Sequence, residues 1–365
     1  MVERGKIMKQ KVLQIGPFVK NDQDATGMQK ILVISLLPLL FFAWFKNGIY
    51  PYLHGNLTTS EMVLPLLLIF CSVVPGLLVY WLGKQIKKEK ITRYHWLELL
   101  SLSFIYACLL PMQASLIVVI IGSILLSVIE LIVPNHKLGN PTIISILFVL
   151  LITFVIQGGT YLNTYEVQNQ LPTSSTMIEN NNLKGYRSLV TPFGSIMDFL
   201  LGSVPGAIGT TSSILLGILF LYLCYKKSIK WEITVTYLLT IFGMSTFIGM
   251  FSGLGYWYPI YLIMSHSILF YSIYLITNSK TSPMTPIGKV LYGLLLGVVT
   301  ILCCYFLPFE ISSLISIYLL SFLSSFLDRI GSIARFHFEK SIPYFIALWI
   351  FIFGISVWIG TNYQV

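Results

Sequence analysis

Long stretches of this chain carry almost no charge, and they recur from near its beginning to its end. Residues 62–83 and 341–360 contain no charged residue, and residues 114–134 contain only Glu130. A helix of about 20 apolar residues crosses the hydrocarbon core of a bilayer. One such stretch could be a buried helix of a soluble protein, but a series of them is typical of a polytopic α-helical membrane protein. The composition agrees, because 10% of the residues are charged, against roughly a quarter in soluble domains.

The apolar stretches divide into two groups of five, separated by a long loop, with one more at the C-terminus. The candidate spans are residues 31–53, 62–83, 96–112, 114–134, 142–161, 211–225, 231–253, 257–276, 287–307, 309–327 and 341–361. Because five is odd, the two groups would run in opposite directions, as in an inverted repeat. The sequence therefore predicts an all-α polytopic membrane protein of about ten transmembrane helices, built as two inverted five-helix halves plus one extra C-terminal helix.

This division predicts five regions along the chain. They are a cytoplasmic arm (1–30), a first five-helix half (31–161), an outer-face loop (162–210), a second five-helix half (211–328), and a cytoplasmic linker with the extra helix (329–365).

The positions of the basic residues predict the orientation. If the N-terminus is cytoplasmic, all 23 lysines and arginines except Lys46, Lys184 and Arg187 lie on the cytoplasmic side. Basic residues resist translocation, so we expect a plasma-membrane protein with loop 162–210 outside the cytoplasm. The basic residues form short clusters at span ends and assemble no continuous face, so we expect no nucleic-acid partner.

The residues that commonly bind metals are scattered. The five cysteines lie in or at the end of apolar spans and form no CxxC pair, so we expect packing roles and no metal site. His266 and Glu130 fall within candidate spans. His266 could be a packed, hydrogen-bonded residue or part of a proton path, and Glu130 could reach the interface or serve an ion path.

The most distinctive segment runs from Gly202 to Ser212, with the sequence GSVPGAIGTTS. Its glycines permit tight turns and close approach of a ligand to the backbone. The hydroxyl residues Thr210 to Ser212 are expected to open a helix, whose N-terminus could hold a phosphate or another anion. The alternative is a turn followed by an ordinary helix N-cap, and the residues alone leave both open.

Two other polar segments and one acidic residue mark the predicted cytoplasmic side. Gly139-Asn140-Pro141 is typical of a turn that opens a helix, and residues 276–283 are typical of a polar loop. Asp328, beside Arg329, is interpreted as a charged helix end in the interface.

These segments, in this order, resemble the D subunit of the Rnf electron-transport complex and the related B subunit of sodium-translocating NADH:quinone oxidoreductase (the RnfD/NqrB family). The resemblance extends over about residues 12–332. It includes Gly16-Pro17 and Ser35-Leu36-Leu37-Pro38, the 138–141 turn, the 202–212 segment, Thr277 through Pro283, and Asp328-Arg329.

The resemblance implies a flavin mononucleotide (FMN) joined through its phosphate to a threonine on the outer face, for which Thr191 is the candidate. It also implies a second, non-covalent flavin such as riboflavin. No catalytic residue is assigned, because the flavin supplies the chemistry. The cofactor-binding residues that it implies are Ser188, Thr191, Pro192, Gly202, Pro205, Gly206, Gly209, Thr211, Ser212, Gly139, Asn140, Thr277, Asn278, Thr281 and Ser282.

The chain departs from the family pattern at several of these positions. Leu189 and Val190 stand where the family has glycine and alanine between serine and the acceptor threonine, and Gly185 replaces an aspartate. Thr210 and Asn278 replace a glutamate and an aspartate.

The function implied is that of a membrane redox subunit that moves electrons between a cytoplasmic-side donor and an outer-face acceptor, with possible ion coupling. Its implied partners are other membrane subunits, an outer-face flavoprotein and, for the covalent flavin, a flavin transferase. The alternatives are a small-solute transporter or channel with a urea- or ammonium-channel-like fold, and a flavin-free scaffold subunit.

Overall fold

The regular secondary structure of the described part of the chain is entirely helical. The computed structural model describes residues 25–55, 57–112, 114–132, 139–157, 196–202, 206–252, 255–265, 267–304, 309–336 and 338–362, and no β-strand occurs among them. The helices of the N-terminal part are α1 (Ala25–Leu53), α2 (Thr59–Ile86), α3 (Arg93–Cys108), α4 (Leu116–Ile132) and α5 (Pro141–Gln157). The remaining helices are α6 (Ile196–Leu201), α7 (Ser213–Tyr225), α8 (Trp231–Phe251), α9 (Tyr258–Ser265), α10 (Ile268–Leu275), α11 (Pro286–Cys304), α12 (Phe309–Ser321), α13 (Ser324–Phe336) and α14 (Phe338–Asn362).

Within these ranges, four helices are long and apolar enough to cross a membrane, namely α1, α2, α8 and α11. Two bent pairs, α9 with α10 and α12 with α13, raise the number to six if each pair is one span. Shorter apolar helices lie beside them. The chain is therefore a multi-pass membrane protein.

Two of the spans that the sequence predicts as continuous helices are broken. The stretch 257–276 bends by 65° between α9 and α10, and the stretch 309–327 bends by 58° between α12 and α13. Hydropathy alone could not predict the breaks, because both lie inside stretches that are apolar on average, 257–276 and 309–327. The predicted start at residue 211 is also slightly early, since Ser212 is the N-cap of α7.

The helices of the two groups pack in the same order. In the first group α2 packs along α4 and α3, and α4 packs on α5. In the second group α8 packs along α11 and α9, and α11 packs on α12. The additional helix α14 packs against the outside of α8.

Small residues allow the closest of these contacts. In the first group Gly76 of α2 donates its backbone N–H to Ser123 Oγ of α4 (3.0 Å). In the second group a β-carbon on Gly293 of α11 would lie 2.8 Å from the carbonyl oxygen of Ile233 in α8. Membrane helices gain little from hydrophobic association with one another, so such close backbone packing is a main source of their cohesion.

We predict that Gly293→Val destabilises the protein by about 1–3 kcal/mol, because the new side chain must force α11 away from the α8 backbone. Gly243→Val is the matched control, because a β-carbon at Gly243, also in α8, meets nothing within 4 Å. The measurement is the thermal midpoint of the purified protein in detergent. Equal midpoints for the two variants would contradict the close packing described here.

Candidate functional site

Residues 206–212, called here the buried connector, are all buried although none of them is helical. The connector runs beside the last turn of α3, where Ile208 N–H donates to Leu110 O (3.0 Å) and Gly209 N–H donates to Cys108 O (3.0 Å). The last carbonyl groups of a helix lack partners within the helix. The connector therefore caps α3 while α3 satisfies the backbone of the connector.

Glycine is required at one position in the connector and at one position before it. Gly202 has φ +93°, a conformation that side chains rarely tolerate. A β-carbon on Gly209 would lie 3.1 Å from Cys108 Cα and 2.9 Å from its Sγ. These two predicted site residues thus have a structural reason to be glycine, because one makes the turn and the other allows backbone contact with α3.

A π-helical turn in α1, Phe45–Ile49, holds the connector from another side. Asn47 Nδ2 donates to Ala43 O (2.9 Å) and to Ile208 O of the connector (3.3 Å). Lys46 Nζ donates to Thr211 Oγ1 (2.9 Å). π-Helical turns are frequent at functional sites, and here the turn directs two polar side chains at the connector.

The third contact lies at the break between α9 and α10. Thr210 Oγ1 and Ser267 Oγ share a hydrogen bond of 2.7 Å, and Ser212 Oγ accepts from Leu215 N–H (3.4 Å) as the N-cap of α7. The prediction that these hydroxyl residues open a helix is therefore confirmed, with Ser212 as its N-cap. The hydroxyl groups of Thr210, Thr211 and Ser212 all have protein partners outside the connector, so neighbouring elements hold it in place.

The loop between α10 and α11 contains a second group of predicted site residues, after those of the connector. Asn278 organises it, since its Oδ1 accepts from Lys280 N–H (3.0 Å). The Asn278 carbonyl oxygen accepts from Thr281 N–H (3.3 Å), Ser282 N–H (3.1 Å) and Ser282 Oγ (2.6 Å). Thr277 Oγ1 donates to Ile273 O. These polar groups fold the loop on itself.

Lys230 fixes the far end of this loop. Its ammonium donates to Ser282 O (3.0 Å), Ser282 Oγ (2.8 Å) and Pro283 O (2.9 Å). Burial and then the nearby positive charge of Lys289 lower the pKa of Lys230 to about 8. Among the described residues, the ammonium is held by these hydrogen bonds and makes no direct ion pair.

Asp328 has a more specific role than the interfacial helix end that the sequence suggested. Its carboxylate accepts from Met284 N–H (2.8 Å), Thr285 N–H (2.8 Å) and Thr285 Oγ1 (2.9 Å). These are the residues immediately before α11, so Asp328 caps that helix from α13. A carboxylate is favourable at a helix N-terminus because of the free N–H groups and the helix dipole.

The same loop reaches a pair of buried glutamates. Lys280 Nζ contacts Glu98 Oε1 of α3 and lies 3.6 Å from Glu130 Oε1 of α4. Burial opposes the charged form of Lys280, but the hydrogen bond and charge of Glu98 and then the charge of Glu130 outweigh it. The pKa of Lys280 therefore lies above its ordinary value. Sequence reasoning noticed Glu130 but missed Glu98, whose acidic side chain within an apolar stretch was the available signal.

The Gly139-Asn140 turn is the third group of predicted site residues. Gly139 has φ +89°, and Asn140 Oδ1 accepts from Thr142 N–H (3.1 Å) at the start of α5. The Asn140 side chain is 1% exposed, and its Nδ2 has no hydrogen-bond partner among the described residues. An amide donor buried in this way is costly, which marks the position as one where a ligand could bind.

Helix α3 touches all three sets. Lys280 meets it at Glu98, Thr142 Oγ1 donates to the carbonyl oxygen of Leu102 (3.5 Å), and the connector pairs with Cys108. The two outer positions are separated by about 15 Å along the helix axis. The sets are therefore distinct places along one scaffold rather than a single pocket.

The sequence predicts four further site residues. Ser188, Thr191, Pro192 and Pro205 lie outside the described residues. Sequence reasoning also missed Lys46, Asn47 and Lys230, which contact the predicted segments. Lys46 gave a signal, because it is one of the few basic residues on the predicted outer side.

Comparison with known proteins gives matches across most of the chain. The NQR2, RnfD, RnfE family model matches residues 12–336. The D subunit of the proton-translocating ferredoxin:NAD(+) oxidoreductase complex of Clostridium ljungdahlii is 24% identical, covering 78% of this chain and 83% of the relative. The D subunit of the Na(+)-translocating ferredoxin:NAD(+) oxidoreductase complex of Acetobacterium woodii is 22% identical, covering 78% and 82%. A shorter match, 30% identical over 31% of this chain and 36% of the relative, is the D subunit of an ion-translocating oxidoreductase complex of Methanosarcina acetivorans.

A family model that extends over all but the two ends of the chain leaves the assignment clear: the protein belongs to the NQR2, RnfD, RnfE family.

Proposed function

We propose that the protein is a membrane subunit of an ion-translocating electron-transport complex. In this proposal it moves electrons through flavin between a cytoplasmic-side donor and an outer-face acceptor. The observation that carries the proposal is the match, over more than three quarters of both chains, to the D subunits of two ferredoxin:NAD(+) oxidoreductase complexes. The arrangement of the three predicted segments along α3 supports it. One rigid helix, α3, would then hold sites at different membrane depths in fixed relative positions.

The proposed topology has ten transmembrane helices in two inverted halves, with α14 as an eleventh. The repeated packing order of the two groups supports this arrangement, as does the distribution of basic residues. The N-terminus would be cytoplasmic, and loop 162–210 would lie on the outer face. The connector would then lie near the outer face and the α10–α11 loop near the cytoplasmic one.

We propose the Asn140 turn as the site of a non-covalent flavin such as riboflavin. The unpartnered Nδ2 supplies a donor for a carbonyl oxygen, and the isoalloxazine ring carries such acceptors. A flavin supplies one- and two-electron transfer when bound. Asn140 would orient the ring, while Asn278 and Ser282 would act through the shape of the loop that their hydrogen bonds maintain.

For the covalent FMN we propose Thr191 as the acceptor. The connector that follows this region is held by three elements, through Asn47, Cys108 and Ser267. Because the connector is fixed beside α3, the chain that leads from Thr191 would enter the connector close to that helix. The proposed partners are a flavin transferase that attaches the FMN, an outer-face flavoprotein, and other membrane subunits of the complex.

A transporter or channel is the second candidate, and the two broken helix pairs favour it. Discontinuous helices frequently form the substrate sites of transporters, and α9–α10 and α12–α13 bend by 65° and 58°. A solute flux in proteoliposomes made from flavin-free protein would support this candidate over the redox function.

We predict that the peptide containing Thr191 carries one FMN when the protein is produced with an active flavin transferase. Mass spectrometry should show the phosphoester adduct, and denaturing gels should show flavin fluorescence. Thr191→Val should abolish both signals, whereas Thr173→Val, in the same loop, should keep them. An unmodified Thr191 peptide beside a flavinylated control protein from the same cells would refute the assignment.

We predict that Asn140→Ser weakens riboflavin binding by about 2- to 10-fold, because one hydrogen bond to the ring is lost. Serine keeps an acceptor at the helix N-cap, so the thermal midpoint should change little. Riboflavin titration followed by fluorescence quenching gives the affinity, and Ser282→Ala is the control for an indirect effect of the loop. Unchanged affinity in Asn140→Ser would place the flavin elsewhere.

A further inference from the structure

The contact between Lys280, Glu98 and Glu130 has an unusual arrangement for a membrane protein. The two glutamates are 5% and 8% exposed, and they belong to different helices. One lysine from a third element, the α10–α11 loop, approaches an oxygen of each. Ionisable groups buried in this way are costly, and holding two carboxylates around one cation requires a compensating interaction.

The ammonium group occupies the place that a metal cation would take between two carboxylates. Hard cations bind through oxygen ligands, including carboxylates from separate parts of a fold. A positive charge already in contact with both carboxylates repels a second cation strongly at low dielectric. Because the ammonium already lies within ion-pair distance of both carboxylates, a metal ion could bind them together only after the ammonium leaves.

We propose that Lys280 is a tethered cation that closes the Glu98–Glu130 pair to free monovalent metal ions such as Na⁺. In this role Lys280 determines ion specificity at the pair, and without it the two carboxylates would form a cation site. A role of Lys280 in ion translocation rests on the proposed function, but its effect on cation binding at the Glu98–Glu130 pair does not.

Several other groups face the pair and define the local field. From α2, Tyr80 and Lys84 lie near Glu130, and from α3, Tyr94 hydroxyl donates to Glu98 Oε1 (3.5 Å). Lys84 is paired with Glu89 and lies 5.7 Å from the centre of the Tyr80 ring. Lys280 is therefore the lysine in direct contact with both carboxylates among the described residues.

The test measures the thermal midpoint of the purified full-length protein in detergent, in NaCl and in choline chloride at equal ionic strength. Wild type should give the same midpoint in both salts. Lys280→Ala should melt lower in choline and recover by about 3 °C at a Na⁺ concentration 100-fold above its dissociation constant. Lys280→Gln, measured in the same way, replaces it if the alanine variant does not fold.

Three variants serve as controls. Lys280→Arg keeps a cation in place and should remain indifferent to Na⁺. Lys289→Ala removes another half-buried lysine, which pairs with the single carboxylate of Glu232 (3.0 Å), and should lose stability without rescue by Na⁺. The double variant Glu98→Gln with Lys280→Ala removes one carboxylate and should lose most of the Na⁺ effect.

Two results would overturn the proposal. One is a Lys280→Ala protein whose midpoint is equal in Na⁺ and choline, and the other is a wild-type protein that Na⁺ stabilises as strongly as the variant. Neither measurement uses flavin or electron transfer. Failure of the flavin assignment at Thr191 would therefore leave this result interpretable, and the reverse also holds.

Discussion

A backbone N–H or carbonyl group without a partner costs several kcal/mol in a hydrocarbon environment, and this cost organises the irregular parts of the protein. The buried connector is not helical, so its backbone must find partners outside itself. It finds them at other irregular places, namely the end of α3 and the π-helical turn of α1. At the α9–α10 break, the contact is between the hydroxyl groups of Thr210 and Ser267. These four departures from regular helix thus stabilise one another.

Helix α3 links these features to the charged groups. Glu98 near its start binds Lys280, Leu102 accepts from Thr142, and Cys108 at its end pairs with Gly209. Elements distant in sequence therefore share one rigid support. A displacement of α3 would move both the Glu98–Lys280 ion pair and the connector. This is a physical route by which events at the two ends of α3 could be coupled.

The polar residues near α3 differ in how far their hydrogen-bonding capacity is used. In the connector and in the α10–α11 loop, the hydroxyl and amide groups are largely occupied by protein partners, so their main role is to hold the backbone. Asn140 differs, because its buried Nδ2 has no partner among the described residues. Lys280 differs again, because it brings a positive charge to two buried carboxylates. Folding of the loop would not by itself need that charge. These two residues are the places where structure suggests ligand or ion chemistry rather than support.

The sequence by itself determined the membrane class and most helix positions. Runs such as 62–83 have no charge and exceed the length needed to cross a bilayer, so only helical spans could bury their backbone. The order of the glycine-, proline- and threonine-containing segments also predicted the family, because turn and cap residues leave a local signature. These features depend on neighbouring residues along the chain, which a sequence records directly.

Only the tertiary structure decided where helices break and which polar groups meet. The bends at α9–α10 and α12–α13 lie in stretches that are apolar on average and therefore resemble continuous spans. At α9–α10 the break has a partner far away in the sequence, because Ser267 bonds to Thr210. Glu98 and Lys280 are far apart in sequence, and nothing local indicates that they form a contact. Asp328 likewise caps a helix that begins more than 40 residues earlier, at Pro286, by accepting from Thr285 N–H just before it. Such pairings arise from the packing of helices, so their chemistry becomes visible only in the folded protein.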